Sequence, residues 1–385
     1  MARWPRQILF GDIDAMYASA AVLADPSLAG KPVAVGGPAP RGIILAASYP
    51  ARRFGVRSAM PTVQAKRFCP DLILVPPDRT LYSRLHREMQ AVTDRLFPAT
   101  EWTSIDEFYA DTTDFQVREP DPERLAHTVK QAIKQATGLT CTVGVATGKI
   151  VAKVAADAHK PDGMAIIRPG EEASFLAPLP VRSLPGIGPK SAEALDRIGV
   201  RLIGDMLDAR FDGPLRYLFG NRLPAVQALA RGIDHDPVLP DRDSKSISHE
   251  TTFDHDTDDR AFLKEMLRAF LSELAHDLRG QGLASAAFTV KLKDSRFHVH
   301  TRQRRFPTPL NYDPSMWPHI AAALDSLLVP SLRYRLVGLG LTNLVPAMEG
   351  LFDHRRDKAV AALDQLIAKH GMKVVRLGGL PDKSD

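Results

Sequence analysis

The sequence predicts a multidomain α+β protein, and three observations carry that prediction. Strand and helix signals alternate through the first 170 residues, as in a mixed sheet domain. A turn punctuated by Gly and Pro, Leu184–Lys190, opens a mostly helical stretch that runs to about Gly232. After a Pro/Asp-rich segment, residues 245 to about 345 read strand, helix, strand, strand, helix, strand. At 385 residues the chain has room for about two to four domains of roughly 100–200 residues each.

Taken in order, the first element is Gln7-Ile8-Leu9-Phe10-Gly11-Asp12-Ile13-Asp14, an apolar run of strand length that ends in two acids. Residues from about 20 to 78 form an inserted unit, entered through the turn-rich Asp25–Pro32 and holding strands Pro32–Val35 and Ile43–Ala47 around a Gly/Pro loop. If a helix starts near Tyr49, that residue and Arg52 share one face of it. Thr103–Ile105 and Phe108–Ala110 read as strands, with Asp106 and Glu107 at the bend between them. Ser191–Ile198 is helical, and Asp234–Asp243 is a linker. In the last domain the helices are 260–279 and 314–328, and the strands include 286–293, 297–306 and 334–342. The tail, 353–385, has a helical pattern from Lys358 to Lys369 and a strand-like Lys373–Leu377. No internal repeat or low-complexity tract interrupts this order.

Fifty Lys and Arg against 45 Asp and Glu leave a formal charge of +5, with a pI near 9.1. So mild an excess says little by itself; its placement says more. His298, His300, Arg302 and Arg304 fall on alternate positions and so share one face of a strand. That stripe suits phosphate oxygens, with Lys291 and Lys293 of the preceding strand as further contacts. The alternative is a solvated sheet face. Cys69 and Cys141 are the only cysteines, too few and too far apart for a disulfide framework or a zinc site, which fits a reducing cytosol. No signal peptide is visible, and no apolar stretch reaches the ~18–20 residues that span a bilayer.

The chemistry is concentrated in Ser104-Ile105-Asp106-Glu107 and Asp12. Adjacent carboxylates at a turn, with a third at a buried strand end, suit two divalent cations about 3.5–4 Å apart that activate an attacking oxygen and steady a leaving one. On these residues alone, a solvated acidic turn is the competing reading. Leu184-Pro185-Gly186-Ile187-Gly188-Pro189-Lys190 has the form of a helix-hairpin-helix turn. Gly186 and Gly188 let backbone approach a phosphate, and the next helix N-terminus, with Lys190, faces it. An ordinary Gly/Pro turn is the alternative. Tyr49 with Arg52, and Lys160 in the turn Lys160-Pro161-Asp162-Gly163, could clasp a triphosphate, although isolated surface cations are usually only solvated.

In this order the motifs resemble the Y-family DNA polymerases, and most closely the DNA polymerase IV (DinB-like) branch. The resemblance runs from Ile8 to about Phe352. It rests on Asp12–Ser19, on Ser48–Pro61, on Ser104–Glu107, on Val143–Ala146 with Ala152–Ala155, and on Lys160–Gly163. It implies a right-hand polymerase: a ferredoxin-like palm (1–19 and 79–170), small fingers (20–78), a helix-hairpin-helix thumb (171–233), a linker (234–244), a little finger (245–345) and a tail (346–385). It implies that Asp12, Asp106 and the Ile13 carbonyl hold two Mg²⁺, or alternatively Mn²⁺, with Glu107 completing the site near the primer terminus. Tyr17 would be the steric gate against a 2′-hydroxyl; Met16, Tyr17, Tyr49, Arg52 and Lys160 would bind the dNTP. Asp14 would be no ligand, but a helix N-cap. The implied partners are primer-template DNA and a dNTP. The implied enzyme is a monomeric, cytoplasmic, error-prone translesion polymerase with no proofreading exonuclease.

Several positions depart from the family's pattern. Ala21 stands where Glu is usual, Ser48 where Asn is, and Gly148-Lys149 where Asn-Lys is; no metal ligand is lost. Met348-Glu349-Gly350-Leu351-Phe352 looks like a degenerate sliding-clamp peptide with Met in place of Gln, or else a C-terminal core segment. Two rival classes remain at this point. A two-metal nuclease would use the same carboxylates but needs no triphosphate clasp or sugar gate. A non-catalytic mutasome subunit would have lost acids that are all present here.

Overall fold

The structure, a computed structural model, describes residues 3–240 and 244–347 together with 364, 365 and 369. It divides into two compact units, Met1–Arg242 and Asp243–Asp385. The first begins with strand β1 (Ile8–Ile13), buried along its whole length, and helix α1 (Met16–Ala24). A small sheet follows, made of β2 (Val33–Gly36), β3 (Ile44–Ala47) and β4 (Ile73–Val75) in the order β3-β2-β4. Helices α2 (Tyr49–Arg53) and α3 (Thr62–Phe68) lie between its last two strands in sequence and share its core of Ala34, Ile44, Ala51 and Ala65. Next come α4 (Arg79–Leu96), β5 (Thr100–Trp102), β6 (Glu107–Asp111), α5 (Pro122–Thr137), β7 (Cys141–Ala146), α6 (Lys149–Ala158) and β8 (Met164–Ile166).

The larger sheet runs β5-β6-β1-β7-β8, with β1 at its centre. A central strand is covered on both sides, which is why its sequence is continuously apolar rather than alternating. The alternation survives in the packing. Ile8 and Phe10 join one core with α6, while Leu9 and Ile13 join another with α4 and α5. Gly11 pairs with Phe108, and a Cβ there would lie 2.4 Å from that ring, so only glycine admits the contact. Helices α7 (Glu172–Leu176), α8 (Pro189–Arg197), α9 (Asp212–Phe219) and α10 (Leu223–Ala230) complete the unit, their Leu176, Leu195, Leu215 and Val226 filling the core on the Ile8/Phe10 side.

The second unit holds β9 (Ser246–Thr257), α11 (Arg260–Gly280), β10 (Leu283–Asp294), β11 (Val299–Leu310), α12 (Asp313–Leu327) and β12 (Tyr334–Pro346). Its antiparallel sheet runs β11-β10-β12-β9, and both helices pack on one face through Leu267, Leu274, Ile320 and Leu324 against Phe288, Val290 and Leu339. The order of elements is the expected one, with longer strands. Of the tail, Asp364 is gripped by Arg279, with Nε donating at 2.7 Å and Nη2 at 2.8 Å, and by His276 Nδ1. Met348–Phe352, most of the Lys358–Lys369 pattern and Lys373–Leu377 lie outside the described residues. Among those described, no helix is long and apolar enough to cross a membrane.

Two expectations need correction. The first is the basic stripe. Arg304 pairs with Phe288, Arg302 with Val290 and His300 with Leu292, and residues paired directly across strands share a face. All three therefore lie on the helix-covered side, where Arg302 Nε donates to Ser326 Oγ at 3.2 Å. His298 precedes β11, in the hairpin turn. The helix-free face carries Lys291 and Lys293, opposite Thr301 and Val299, and Arg305, opposite Ala287. Lys291 reaches across Gly338 to Glu250 at 2.7 Å, where a Cβ on Gly338 would meet the Glu250 Cβ at 2.9 Å. The second correction is the acidic hairpin: the strands are β5 and β6, so the turn is 103–106 and Glu107 already begins a strand.

Candidate active site

The backbone assembles the site before any side chain is considered. Asp12 lies directly opposite Glu107 in the β1–β6 ladder, and the Ile13 amide donates to the Asp106 carbonyl at 3.0 Å. Three carboxylate-bearing residues are thereby gathered at one end of the central strands. Within the turn, Ser104 Oγ accepts from the Glu107 amide at 3.1 Å and donates to Asp106 Oδ1 at 2.5 Å. A serine hydroxyl closing a turn on the amides that follow it is a common device.

Asp12 is nearly buried, its side chain 6% exposed. Burial raises its carboxyl from 3.8 to about 7; Lys160, ion-paired to it, opposes the rise, and Glu107 and Asp106 add to it. Burial would lower the Lys160 ammonium, but Asp12 and Asp157 outweigh it and hold Lys160 charged. Glu107 is paired with Lys153, whose Nζ also sits 4.6 Å over the Phe10 ring. Among the described residues no three acidic, His or Cys side chains stand grouped as an ion requires. The reason is local: Asp12 is turned to Lys160, Glu107 to Lys153 and Asp106 to Ser104. The donors are nevertheless hard oxygens, one of them desolvated beside two other acids, and such a set suits Mg²⁺ or Mn²⁺.

Around these acids stand the other expected residues. The Tyr17 ring is stacked on Tyr82, centroids 4.2 Å apart. Tyr49 and Arg52 do share a face of α2: the guanidinium lies 4.6 Å over the ring, and Arg52 Nε donates to the Ala47 carbonyl at 2.9 Å. The Tyr49 hydroxyl is buried without a hydrogen-bond partner among the described residues. The Lys160 turn is pinned from two sides. Asp14 accepts from the Asp162 amide at 2.9 Å and from Thr142 Oγ1 at 2.8 Å, and Lys130 Nζ donates to the Cys141 carbonyl, Asp162 Oδ1 and the Gly163 carbonyl.

Two further expectations change. Asp14 is no N-cap: Ala15, at φ 47°, takes that position, and Asp14 instead fastens β7 to the Lys160 turn. Met16 is 2% exposed as a whole residue and belongs to the core, so it presents almost no surface of its own. The residue pattern gave no site role to Lys153, Tyr82, His86 or Lys130. Spacing offered a signal for two pairs, since Lys149 with Lys153 and Tyr82 with His86 are each four apart on one helix face.

Away from the acids, Pro185-Gly186 forms a turn closed by the Ile187 amide on the Leu184 carbonyl at 3.0 Å, with Gly186 at φ 92°. Ile187 is buried, while Gly186, Gly188 and Lys190 are exposed, so the loop is anchored beneath and open above.

Residues 11–157 match the impB/mucB/samB family, residues 169–200 the IMS family HHH motif, and residues 244–351 the C-terminal domain of the impB/mucB/samB family. The chain is 41% identical to DNA polymerase IV of Methanoculleus marisnigri, over 89% of this chain and 96% of that protein. It belongs to the Y-family of DNA polymerases. DNA polymerase IV of Halorhodospira halophila is 37% identical over the same shares. The fold also matches a Y-family DNA polymerase chimera, with a TM-score of 0.79 and 27% identity over 88% of this chain and 99% of that one. DinB from Sulfolobus solfataricus matches with a TM-score of 0.62 and 26% identity, covering 89% and 100%. The Y-family palm, helix-hairpin-helix thumb and little finger are thus all present, in the DNA polymerase IV branch, whose work is translesion synthesis with divalent metals.

Proposed function

We propose that the chain extends a DNA primer by template-directed transfer of a nucleotide from a dNTP, with pyrophosphate leaving, at the end of β1 and β6. The observation that carries this reading is the ladder that sets Asp12 opposite Glu107 and ties Ile13 to Asp106. Asp12, Asp106 and the Ile13 carbonyl would hold the cations, and Glu107 would complete the site on the primer side. Two Mg²⁺, or Mn²⁺, bound there would activate the primer hydroxyl and neutralise charge on the departing phosphates.

The remaining steps fall to the chain itself. Arg52 presents a guanidinium fork, and Tyr49 a buried hydroxyl with no partner among the described residues, to the triphosphate. Lys160, held charged, adds a cation fixed by its pinned turn. Tyr17, backed by Tyr82, bars a 2′-hydroxyl by collision. Catalysis is then mostly positioning and charge neutralisation. The exposed Gly186–Lys190 loop and the helix-free face of the second unit would hold the duplex through phosphates, without reading sequence. A small three-stranded fingers sheet encloses the new pair loosely, hence error-prone synthesis past damage.

Primer extension with Asp106→Ala and Glu107→Ala tests the assignment. Both should lose nearly all incorporation while remaining folded, and wild-type activity in both would refute it. A nuclease would instead shorten labelled primer in the absence of dNTP.

A further inference from the structure

Helix α4 reaches the site at two points. Tyr82 and His86, one turn apart, share a face; Tyr82 backs the Tyr17 ring, and His86 Nδ1 lies 3.0 Å from the Ile105 carbonyl oxygen. A carbonyl only accepts, so Nδ1 carries the proton and the imidazole donates. The ring is fixed on its other side as well. Trp102 meets it edge-on at 4.7 Å and 89°, and Trp102 in turn lies 4.9 Å from Phe108. Burial lowers the His86 pKa, with Ile105 and Asp106 pulling the other way, so the net effect favours the neutral donor.

The carbonyl it grips belongs to the residue just before Asp106. Residues 103–106 lie between β5 and β6, outside the ladder, and Ser104, which closes the turn on Asp106 and Glu107, belongs to the turn itself. Its ends are held by backbone bonds, the Thr103 amide on the Glu107 carbonyl and the Ile13 amide on the Asp106 carbonyl, each at 3.0 Å, which leaves the Ser104-Ile105 apex to be placed. A bond from a helix of eighteen residues ties it to the packed palm.

We propose that His86 is a positioning residue, which by donating to the Ile105 carbonyl holds the 103–106 turn so that the Asp106 carboxylate stays level with Asp12. One rigid helix then sets the sugar-sensing ring and the acid-bearing turn in a common frame. The inference rests on the reading of Asp106 as a metal ligand, and its test separates the two.

Two variants decide it. His86→Leu fills the space against Trp102 but cannot donate, whereas His86→Asn returns an N–H near the place of Nδ1. Mn²⁺ binding is followed by electron paramagnetic resonance with a dideoxy-terminated primer-template and matching dNTP, alongside kcat, the KM for dNTP and the melting temperature. Partners that orient metal-binding groups typically carry about 10–100-fold in affinity or activity. His86→Leu should therefore weaken Mn²⁺ binding and lower kcat about tenfold, with the KM for dNTP little changed, and His86→Asn should recover most of both. Wild-type Mn²⁺ binding and kcat in His86→Leu would overturn the proposal. So would a folded His86→Asn no better than the leucine variant. Asp106→Ala is the control: if it remains active, the metal-site reading falls, whereas an inactive Asp106→Ala beside an unimpaired His86→Leu sinks the positioning role alone.

Discussion

Asp12 stands where the other charges of the candidate site meet. It is buried beside two acids and one ammonium, and its carboxyl is raised from 3.8 to about 7. Between those values the folded chain binds a proton that the unfolded chain has lost. In the metal-free protein this group's stabilising contribution is therefore present at low pH and falls away as pH rises through 7. A cation requires the ionised form, so proton and metal compete for it. Melting temperatures measured with and without Mg²⁺ and dNTP should show a larger metal-induced rise at pH 8 than at pH 6; equal rises would remove Asp12 from the ligand set. Tyr17 makes a separate test. Its ring is braced by Tyr82 rather than free to swing, so Tyr17→Ala should raise ribonucleotide incorporation, on the order of 10²-fold for a lost steric contact near the reacting centre. Unchanged sugar selectivity in competition assays would dismiss the gate. Asp12, Asp106, Glu107 and Tyr17 could be singled out as candidates from residue order alone. The roles of Asp14 and Lys130 could not, because their contacts with the Lys160 turn join residues 148 and 32 positions apart, and no local pattern encodes them.

Among elements, α6 shows how a missing local signal is replaced from a distance. Its N-cap is Gly148, with no side chain to offer, where the family usually has Asn. Asp234 supplies the cap instead, its Oδ2 accepting from the Ile150 amide at 2.9 Å while its Oδ1 takes the Asp236 amide at 3.0 Å. A Cβ on residue 148 would stand 3.0 Å from that of Asp234, so glycine and the distant aspartate belong together. Capping contributes about 1 kcal/mol, and Asp234→Ala should lower the melting temperature of the first unit by about 2–4 °C. A melt indistinguishable from wild type would mean that the cap carries no weight. Strand errors have equally physical origins. β11 runs through Pro307 and Pro309 to Leu310, residues that read as breakers but are tolerated on an edge strand. Alternate spacing correctly placed His300, Arg302 and Arg304 on one face, but spacing cannot say which face the helices cover; only the register with Phe288, Val290 and Leu292 does.

For the whole molecule, composition marked the passage between units but not how far it is free. The Pro/Asp-rich segment reads as a linker throughout. In the structure its first half is fastened to the first unit: Arg6 donates to the Asp234 carbonyl at 2.6 Å, and the Leu239 amide donates to Glu101 Oε2 at 2.9 Å. The latter carboxylate oxygen is also held by the buried Lys149. The net charge of +5 is similarly uninformative until it is assigned to surfaces. Each phosphate neutralised by a Lys or Arg releases condensed counterions, so log affinity for duplex should fall linearly with log salt, by about 0.9 per contact. The register puts Lys293 and Arg305 on the helix-free face and Arg302 against α12. Primer-template affinity measured across a salt series should therefore lose about 0.9 in slope for each of Lys293→Ala and Arg305→Ala. Arg302→Ala should leave the slope near wild type. The reverse result, with Arg302 carrying the slope and the other two silent, would put the duplex on the edge of the sheet and not on its open face.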